Sequence, residues 1–305
     1  MKNKLRIAIL GSNSFLAKAF SRFCLDGEFE LIGYSRANSN PYLTEHRQFN
    51  LPNISVEFKD LLEFDCVIYA AGAGIQSGDK TSIRNLYSLN SFFPIQLLNE
   101  LNALNYVGKV ITFGSYFEIG YNNDKKYFEE LDVVNSHYAV PNHYCSSKRL
   151  LTRYLSNDVN NLEYYHLILP NIYGVNENTN RLIPYLIRTI KEEKKISLTS
   201  GLQIRQYVHI NDVVRLIGVI LEQEEKKSGI YNCTNEKAIQ VKEIFNLVFD
   251  FLNKDLRAEY LGSESKYDTS MKYLLLSGSK VKKYFNFESN IDLKEGIQEY
   301  LSKEI

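Results

Sequence analysis

Short apolar runs alternate with longer amphipathic segments over the first 170 residues of the chain. Compact hydrophobic runs predict buried strands at 5–10, 29–34, 66–70, 109–113 and 164–169. Apolar residues at helical spacing predict helices at 15–25, 81–105 and 144–155. Strands that alternate with helices form parallel sheets, so this part of the chain predicts an α/β fold with a doubly wound, mostly parallel sheet of the Rossmann type.

The order of elements changes beyond residue 170. Helices and short extended pieces follow there, at 181–190, 206–210, 212–221 and 241–252. We predict a cofactor-binding Rossmann domain over 1–170 and mainly a smaller, discontinuous substrate-binding lobe over 171–305, with a segment at about 203–232 returning to the first domain. Because no repeat or low-complexity linker separates the two, we expect them to pack around one cleft.

Composition narrows the class of protein. The 305 residues are 44% hydrophobic, which suffices for a sizeable core. The 36 basic and 36 acidic residues cancel, so no overall field attracts a nucleic acid or an anionic membrane. No apolar run approaches the roughly 20 residues that span a bilayer, and residues 1–6 lead into a strand rather than a secretory signal. We expect a cytoplasmic protein with no nucleic-acid or membrane partner.

The four cysteines are scattered and lie mainly in apolar segments. They are Cys24, Cys66, Cys145 and Cys233. Their spacing fits neither a metal site nor a disulfide framework. The sequence therefore predicts reduced, buried thiols and no metal.

Tyr144 and Lys148 stand four residues apart on the helix predicted at 144–155. This spacing places a phenol and an ammonium on one helix face. A fixed cation stabilises the phenolate and lowers the tyrosine pKa, which would suit acid–base chemistry. The same spacing also occurs on ordinary solvated helix faces. The position of the pair in the chain, relative to other motifs, is therefore needed to tell a catalytic pair from a solvated one.

The first strand-to-helix turn reads Gly-Ser-Asn-Ser-Phe-Leu-Ala over residues 11–17. The glycine pattern of a dinucleotide-binding turn is present only at Gly11, but Ser14 and Ala17 keep the other two positions small. Backbone amides at the helix start could then bind a pyrophosphate. A Gly-Ser turn that merely ends a strand is the alternative.

The second strand ends in Gly-Tyr-Ser-Arg rather than in the acidic residue that usually holds the ribose of NAD. Arg36 would suit the 2′-phosphate of NADP. A solvated loop arginine is the alternative at this position.

These features together resemble the extended short-chain dehydrogenase/reductases that act on nucleotide sugars, also described as the NAD-dependent epimerase/dehydratase family. Asn90 matches the family's helix asparagine. Five further segments carry the resemblance: Tyr-Ala-Ala-Gly at 69–72, Gly-Ser at 114–115, Leu-Pro-Asn-Ile-Tyr-Gly at 169–174, Gln-Ile-Arg-Gln-Tyr-Val-His-Ile-Asn-Asp at 203–212 and Gly-Ile-Tyr-Asn at 229–232. The resemblance covers nearly the whole chain.

The resemblance implies a role for each matching position. Ser115 and Tyr144 would hold the substrate carbonyl, and Tyr144 would transfer a proton. Lys148 would bind the nicotinamide ribose and lower the tyrosine pKa. Asn171 and Arg205 would bind the nucleotide diphosphate. The positions implied for the cofactor are Gly11, Asn13, Ser14, Phe15, Leu16, Arg36, Ala70, Ala71, Gly72, Asn90, Tyr144, Lys148 and Ile172. Ser115 and Asn171 could instead be turn formers.

Some positions depart from the family pattern, and these departures help to identify which reaction the enzyme catalyses. The 4,6-dehydratases of the family carry an Asp-Glu pair directly after the catalytic hydroxyl residue, whereas Tyr116 and Phe117 stand there, followed by Glu118. Epimerases have small residues at these points. Two bulky aromatics would narrow the sugar pocket, so we count Tyr116 among the substrate-binding residues. Ile168 replaces a frequent arginine, which indicates a different orientation of loops or substrate.

The aromatic pair and Arg36 favour an NADPH-dependent reductase. The expected reaction converts a 4-keto, 6-deoxy nucleotide sugar into the hydroxy sugar in a deoxysugar pathway for surface polysaccharide, with NADP(H) favoured over NAD(H). The rival enzyme is a nucleotide-sugar epimerase with tightly bound NAD. A non-catalytic nucleotide sensor on the same fold is the alternative from another class, but a sensor does not need the Ser–Tyr–Lys set.

The tyrosine helix has two further features: a pair of histidines that precede it and a set of apolar residues that could form a contact surface. His137 and His143 precede the helix, where one of them could tune specificity or assist proton transfer, but we expect both at the surface. Apolar residues of the helix at 81–105, together with Leu150, Leu151 and Tyr154, could form the two-helix dimer face typical of the family or could pack on the sheet. We expect a homodimer.

Overall fold

Two sheets and their flanking helices form the fold in the computed structural model, which describes residues 4–50, 57–74, 81–157, 161–194, 200–254 and 271–303. The strands are β1 (Leu5–Leu10), β2 (Phe29–Ser35), β3 (Glu45–Gln48), β4 (Cys66–Tyr69), β5 (Lys109–Ser115), β6 (Glu163–Leu169), β7 (Asn171–Tyr173), β8 (Ile204–His209), β9 (Gly229–Asn232) and β10 (Ala238–Gln240). The α-helices are α1 (Phe15–Phe23), α2 (Ile83–Tyr87), α3 (Phe93–Ala103), α4 (Glu130–Val134), α5 (His143–Ser156), α6 (Leu182–Lys191), α7 (Ile210–Glu222), α8 (Val241–Phe251), α9 (Ser279–Phe285) and α10 (Leu293–Lys303).

The large sheet has seven strands in the order β3-β2-β1-β4-β5-β6-β9, and every neighbouring pair is parallel. The strand order reverses between β1 and β4. In sheets of this kind, ligands bind beyond the carboxyl ends of the strands at such a reversal. The predicted Rossmann-type, doubly wound parallel sheet is confirmed.

Alternate residues of each strand enter two different cores, one on each face of the large sheet. In β1, Ala8 and Leu10 pack in the core that contains Leu97 of α3 and Leu151 of α5. Ile7 and Ile9 pack on the other face, where Leu16 and Phe20 of α1 and Val213 and Leu216 of α7 lie. Both faces of central strands such as β1 and β4 are buried, which explains why their sequences read as continuous apolar runs.

A small sheet in the order β10-β8-β7 lies in the carboxyl-terminal part of the chain. The β7–β8 pair is parallel and the β8–β10 pair is antiparallel. A third core joins this sheet to α6, α8 and α10 through residues such as Tyr173, Ile187, Phe245 and Ile297. The small sheet begins two residues after β6 ends, so Asn171 connects the two sheets directly.

The helix predicted at 81–105 is divided into α2, a π-helical turn over Ser88–Phe92, and α3. Pro94 has no N–H to donate to the carbonyl of Asn90, so a regular α-turn cannot form there. A π-turn inserts one residue and redirects its side chains. Asn90 and Ser91 are consequently buried against Ser147 of α5.

None of the helices in the described ranges combines the length and apolar character that a bilayer crossing requires.

Candidate active site

A cavity of about 870 Å³ opens at the carboxyl ends of β1, β2, β4, β5 and β6. A smaller cavity of about 200 Å³ adjoins it on the side of α6. The two cavities share Phe117, Asn171, Ile172 and Arg181 in their walls. Two connected spaces of this kind can hold a dinucleotide and a second, extended ligand end to end.

Charge distinguishes the larger cavity from the protein as a whole. Its walls carry the basic side chains of Lys18, Arg36, Lys148 and Arg181, and no carboxylate of the described residues lines it. The chain has a net charge of +0, so this local excess of cations is a property of the site. It matches a polyanionic ligand.

The first turn places a helix start at the cavity wall. Gly11 has a φ of +86°, and a Cβ there would lie 2.4 Å from the amide nitrogen of Ala71, so only glycine fits. Ser14 caps α1 by accepting a hydrogen bond from the N–H of Ala17 at 3.2 Å. All the predicted residues of this turn line the cavity, namely Gly11, Asn13, Ser14, Phe15 and Leu16. A helix start in this position fits a pyrophosphate.

The end of β2 leaves Arg36 exposed on the cavity wall. Asn13 holds the loop that follows, because its side-chain amide donates to the carbonyl of Ala37 at 2.5 Å and accepts from the N–H of Ser39 at 3.1 Å. The Ser35 hydroxyl donates to the same Ala37 carbonyl at 2.8 Å. The loop is thus fixed around a guanidinium that faces the ligand space.

Three candidate catalytic side chains line the larger cavity. Ser115 ends β5, whereas Tyr144 and Lys148 lie in the first two turns of α5. Asn142 caps this helix by accepting from the N–H of Cys145 at 3.0 Å. The Lys148 ammonium donates to the carbonyl of Phe113 at 2.9 Å, which ties α5 to β5. The structure therefore brings the three predicted residues together.

The ionisation of this group differs from the sequence-based expectation. Burial raises the pKa of Tyr144 above its usual range, although a hydrogen bond from Ser115 acts in the opposite direction. Burial also lowers the pKa of Lys148 to about 8. Lys148 does not produce the net decrease in tyrosine pKa that the pair predicted, because loss of solvent dominates for both groups.

Asn90 is buried and does not line the cavity. Its carboxamide accepts from the N–H of Ala73 at 3.0 Å and donates to the carbonyl of Ala73 at 2.9 Å and to the Ser147 hydroxyl at 3.0 Å. It therefore joins the segment after β4 to the tyrosine helix. Ala70, Ala71 and Gly72 of that segment line the cavity, and so does Ile172.

Two predicted substrate residues lie behind the cavity walls. Tyr116 is fully buried in the core that contains Leu97 of α3 and Leu151 of α5. Arg205 is 7% exposed and donates to the carbonyls of Ile204 at 2.8 Å and Lys272 at 3.4 Å. Neither lines either cavity, whereas Asn171 lines both. The tight 3₁₀ turn over Tyr116–Ile119 sends successive side chains in different directions, so Phe117 rather than Tyr116 faces the ligand space.

The residue missed from the sequence is Arg181, which directly precedes α6 and lines both cavities. Its guanidinium lies 3.0 Å from the carboxylate of Glu177. Glu177 in turn accepts a hydrogen bond from the Tyr300 hydroxyl at 2.6 Å. From the sequence, Arg181 could have been recognised as a basic residue that stands between the Asn-x-Tyr-Gly segment and an amphipathic helix.

The remaining expectations concern histidines and metals. His137 and His143 are both exposed, where they contact the rings of Tyr138 and Tyr87. Across the described ranges, no group of three or more His, Cys, Asp or Glu side chains is placed to hold a metal ion.

Residues 7–234 match the NAD dependent epimerase/dehydratase family. The chain belongs to this family. The recognition drawn from the sequence motifs is confirmed, and so is the prediction of an enzyme of the NAD(P)-dependent oxidoreductase type.

Three relatives are distant in sequence but match this chain over nearly their whole length. The chain is 20% identical to CDP-abequose synthase of Salmonella typhimurium over 309 residues, which covers 97% of each chain. It superposes with a TM-score of 0.83 on MoeE5 in complex with UDP-glucuronic acid and NAD, at 16% identity over 98% of this chain and 100% of that one. It also superposes on UDP-glucuronic acid 4-epimerase from Bacillus cereus, with a TM-score of 0.81 and 15% identity, over 99% and 100% of the two chains.

Proposed function

We propose that the protein is an NADPH-dependent reductase that converts a 4-keto-6-deoxy nucleotide sugar into the corresponding hydroxy sugar for a surface polysaccharide. The cation-lined cavity supports a substrate with a diphosphate. Relatives named CDP-abequose synthase, and structural neighbours that bind UDP-sugars, support a nucleotide sugar.

The residues of the larger cavity fit a dinucleotide. The Gly11 turn and the start of α1 would hold the pyrophosphate, Lys148 the nicotinamide ribose and Arg36 the 2′-phosphate of NADPH. When bound, NADPH supplies the hydride for the carbonyl carbon of the sugar. Asn171 and Arg181, in the wall shared with the smaller cavity, would bind the nucleotide diphosphate.

Phe117 is the observation that carries the choice of a reductase. It occupies the position of the dehydratases' catalytic glutamate, and its ring centroid lies 6.5 Å from that of Tyr144. Elimination of water from a sugar needs a general acid or base at this point, and an apolar ring supplies neither. Glu118 does not replace it, because its side chain is fully buried.

The state of Tyr144 fits reduction. Because burial raises its pKa, the phenol is neutral at physiological pH. A neutral phenol can donate its proton to the sugar oxygen as the hydride reaches the carbon, while Ser115 holds that oxygen. Lys148 would stabilise the tyrosinate that results.

The first experiment identifies the dinucleotide that stays on the purified protein after exhaustive dialysis. The protein is denatured and the released cofactor is quantified by chromatography. A reductase should release little dinucleotide and should bind NADPH in preference to NADH. It should then oxidise NADPH, followed at 340 nm, with at least one 4-keto-6-deoxy nucleotide sugar.

Near-stoichiometric bound NAD would contradict this proposal. It would support the second candidate, a nucleotide-sugar epimerase, which is favoured by the NAD bound in the structural neighbours. Tyr144→Phe separates both enzymes from a non-catalytic binding protein. The variant should lose more than about 100-fold in kcat, since general acid catalysis contributes roughly 10²–10⁴-fold, and should keep its affinity for the dinucleotide.

A further inference from the structure

A network of buried polar side chains lies directly beneath Ser115, outside both cavities. Glu118 is fully buried, and its carboxyl oxygen Oε1 accepts a hydrogen bond from the backbone N–H of Ser115 at 2.6 Å. The Thr152 hydroxyl faces this carboxyl and stabilises its charged form, but the second oxygen, Oε2, makes no hydrogen bond of ordinary geometry with a described residue. An acidic side chain that is fully removed from water and has so few polar partners is costly, which marks the position as one with a role.

His166 and two threonines complete this network on the sheet side. His166 of β6 is fully buried and contacts the Thr112 hydroxyl through Nδ1 at 2.7 Å and the Thr152 hydroxyl through Nε2 at 2.9 Å. Burial lowers the pKa of His166 to about 3, so the imidazole is neutral. The Thr152 hydroxyl, which faces the Glu118 carboxyl, also donates to the carbonyl of Lys148 at 3.3 Å.

Gly114 provides the space for this network. A Cβ at Gly114 would lie 2.6 Å from Nε2 of His166 and 2.9 Å from Oε1 of Glu118. Both contacts are far shorter than real Cβ contacts, so any larger residue would displace one partner. The sequence thus combines a glycine, a glutamate and a histidine that depend on one another.

The charges around the carboxyl identify its partner. The ionisable groups that face Glu118 are Tyr144, Cys145, Lys148 and Arg149 on α5 and His166 on β6. The Arg149 guanidinium donates to the main-chain carbonyls of residues 118, 119 and 138. Burial raises the pKa of Glu118 to about 7, and the Lys148 ammonium opposes that rise. That leaves Lys148 as the cation through which the carboxyl can affect the cavity, because above this pH the carboxylate favours the ammonium form of Lys148.

We propose that Glu118 is a positioning residue of the active site: it fixes Ser115 through the backbone N–H and keeps Lys148 charged through its carboxylate. Lys148 must be an ammonium to stabilise the tyrosinate that forms when Tyr144 gives up its proton. Without the Glu118 carboxylate, nothing opposes the decrease in the Lys148 pKa that burial causes. The lysine then loses its proton at a lower pH. The kinetic consequence rests on the proposed function, whereas the ionisation of Lys148 does not.

Competitive acylation of amines with acetic anhydride from pH 6 to 10, followed by mass spectrometry of the Lys148 peptide, measures this ionisation without substrate. In Glu118→Gln, the midpoint for Lys148 should move to lower pH by roughly one pH unit. Glu118→Met also removes the charge, and its side chain needs no polar partner. It replaces Glu118→Gln in the experiment if the glutamine amide prevents folding. Thermal unfolding verifies that each variant is folded.

Glu130→Gln is the matched control. Glu130 is also buried and also accepts a backbone N–H, from Asn232 at 2.8 Å. Its substitution should leave the Lys148 midpoint unchanged.

The pH profile of kcat gives the second readout. In Glu118→Gln, the alkaline limb should move to lower pH together with the Lys148 midpoint, whereas a purely structural role would lower kcat equally at all pH values. An unchanged midpoint in both folded Glu118 variants would overturn the inference and leave the reductase intact. A shifted midpoint in a protein that reduces no keto sugar would support the inference and refute the proposed function.

Discussion

We expect the preference between NADPH and NADH to depend on one side chain directly after β2, that of Arg36. Arg36 is exposed and lines the cavity, and no described carboxylate lies nearby on that wall. A carboxylate there would bind the ribose hydroxyls of NAD and repel a 2′-phosphate. A guanidinium instead offers bidentate donors to a phosphate.

We expect Arg36→Ala to weaken NADPH binding by roughly 10- to 100-fold, because hydrogen bonds to charged groups contribute about 1.5–3 kcal/mol. Fluorescence titration of the reduced cofactors measures the dissociation constants. NADH is the internal control, and its affinity should change less than about threefold. Equal losses for both cofactors would show that Arg36 does not read the phosphate.

At the scale of elements, Glu177 joins the wall of the smaller cavity to α10. Its carboxylate bridges Arg181, at the start of α6, and the hydroxyl of Tyr300 in α10. Burial raises the pKa of Glu177 from 4.5 to about 7. The contact therefore joins the segment before α6 to α10 through a group that gives up its proton near neutrality.

Because the folded-state pKa of Glu177 lies above the unfolded value, the folded chain keeps this proton longer. The contribution of Glu177 to stability is greatest below about pH 4.5 and is lost as the pH rises to about 7. Glu177→Gln carries no such proton, so its unfolding free energy relative to wild type should rise by about 1–3 kcal/mol between pH 4.5 and 7.5. Urea unfolding of both proteins between pH 4.5 and 7.5 measures this difference in unfolding free energy. A constant difference would show that folding does not raise the pKa of Glu177.

The contact between β5 and β6 at Gly114 allows a direct test of packing. Gly114→Ala should destabilise the protein by about 1–3 kcal/mol in urea unfolding, because the methyl group would overlap His166 and Glu118. Gly218→Ala in α7 is the control. Its methyl would meet at 3.1 Å the ring of Phe23, which is 46% exposed and can move, and alanine favours a helix. A neutral Gly114→Ala would mean that the two strands have more room than the distances indicate.

Elements were more predictable from the sequence than side-chain directions. Strands such as β1 and β6 were visible as apolar runs because both of their faces are buried. The π-turn at Ser88–Phe92 was not predicted, since it depends on Pro94 and on tertiary contacts of Asn90 together. Arg205 carried the family motif, and Tyr116 was expected to narrow the sugar pocket, but both lie behind the cavity, because tertiary packing decides which side chains face a ligand.

At the scale of the whole molecule, large apolar side chains remain exposed on the π-turn and on α5. Phe92 is 56% exposed and Leu150 is 40% exposed, whereas Leu151 is buried. The homodimer expected from the sequence therefore stays a proposal, with Phe92 and Leu150 as its contact residues. The domain division at residue 170 and the cytoplasmic location stay predictions.

Replacing both residues by glutamate, as Phe92→Glu with Leu150→Glu, should convert a dimer into a monomer, because two buried charges cannot be accommodated in an apolar contact. Sedimentation velocity measures the mass. Leu202→Glu is the control, since Leu202 is 50% exposed at another surface of the chain and its substitution should leave the dimer intact. A monomeric wild-type protein would contradict the proposal.

The burial of the four cysteines has a practical consequence for spectroscopy. Cys24, Cys66, Cys145 and Cys233 are each at most 4% exposed, and burial raises the pKa of each thiol. Maleimide dyes react with exposed thiolates, so the native thiols offer them little. A fluorophore pair could thus be attached at two introduced surface cysteines without first replacing the native ones. Distance changes between the two lobes during turnover would then be measurable on otherwise unaltered protein.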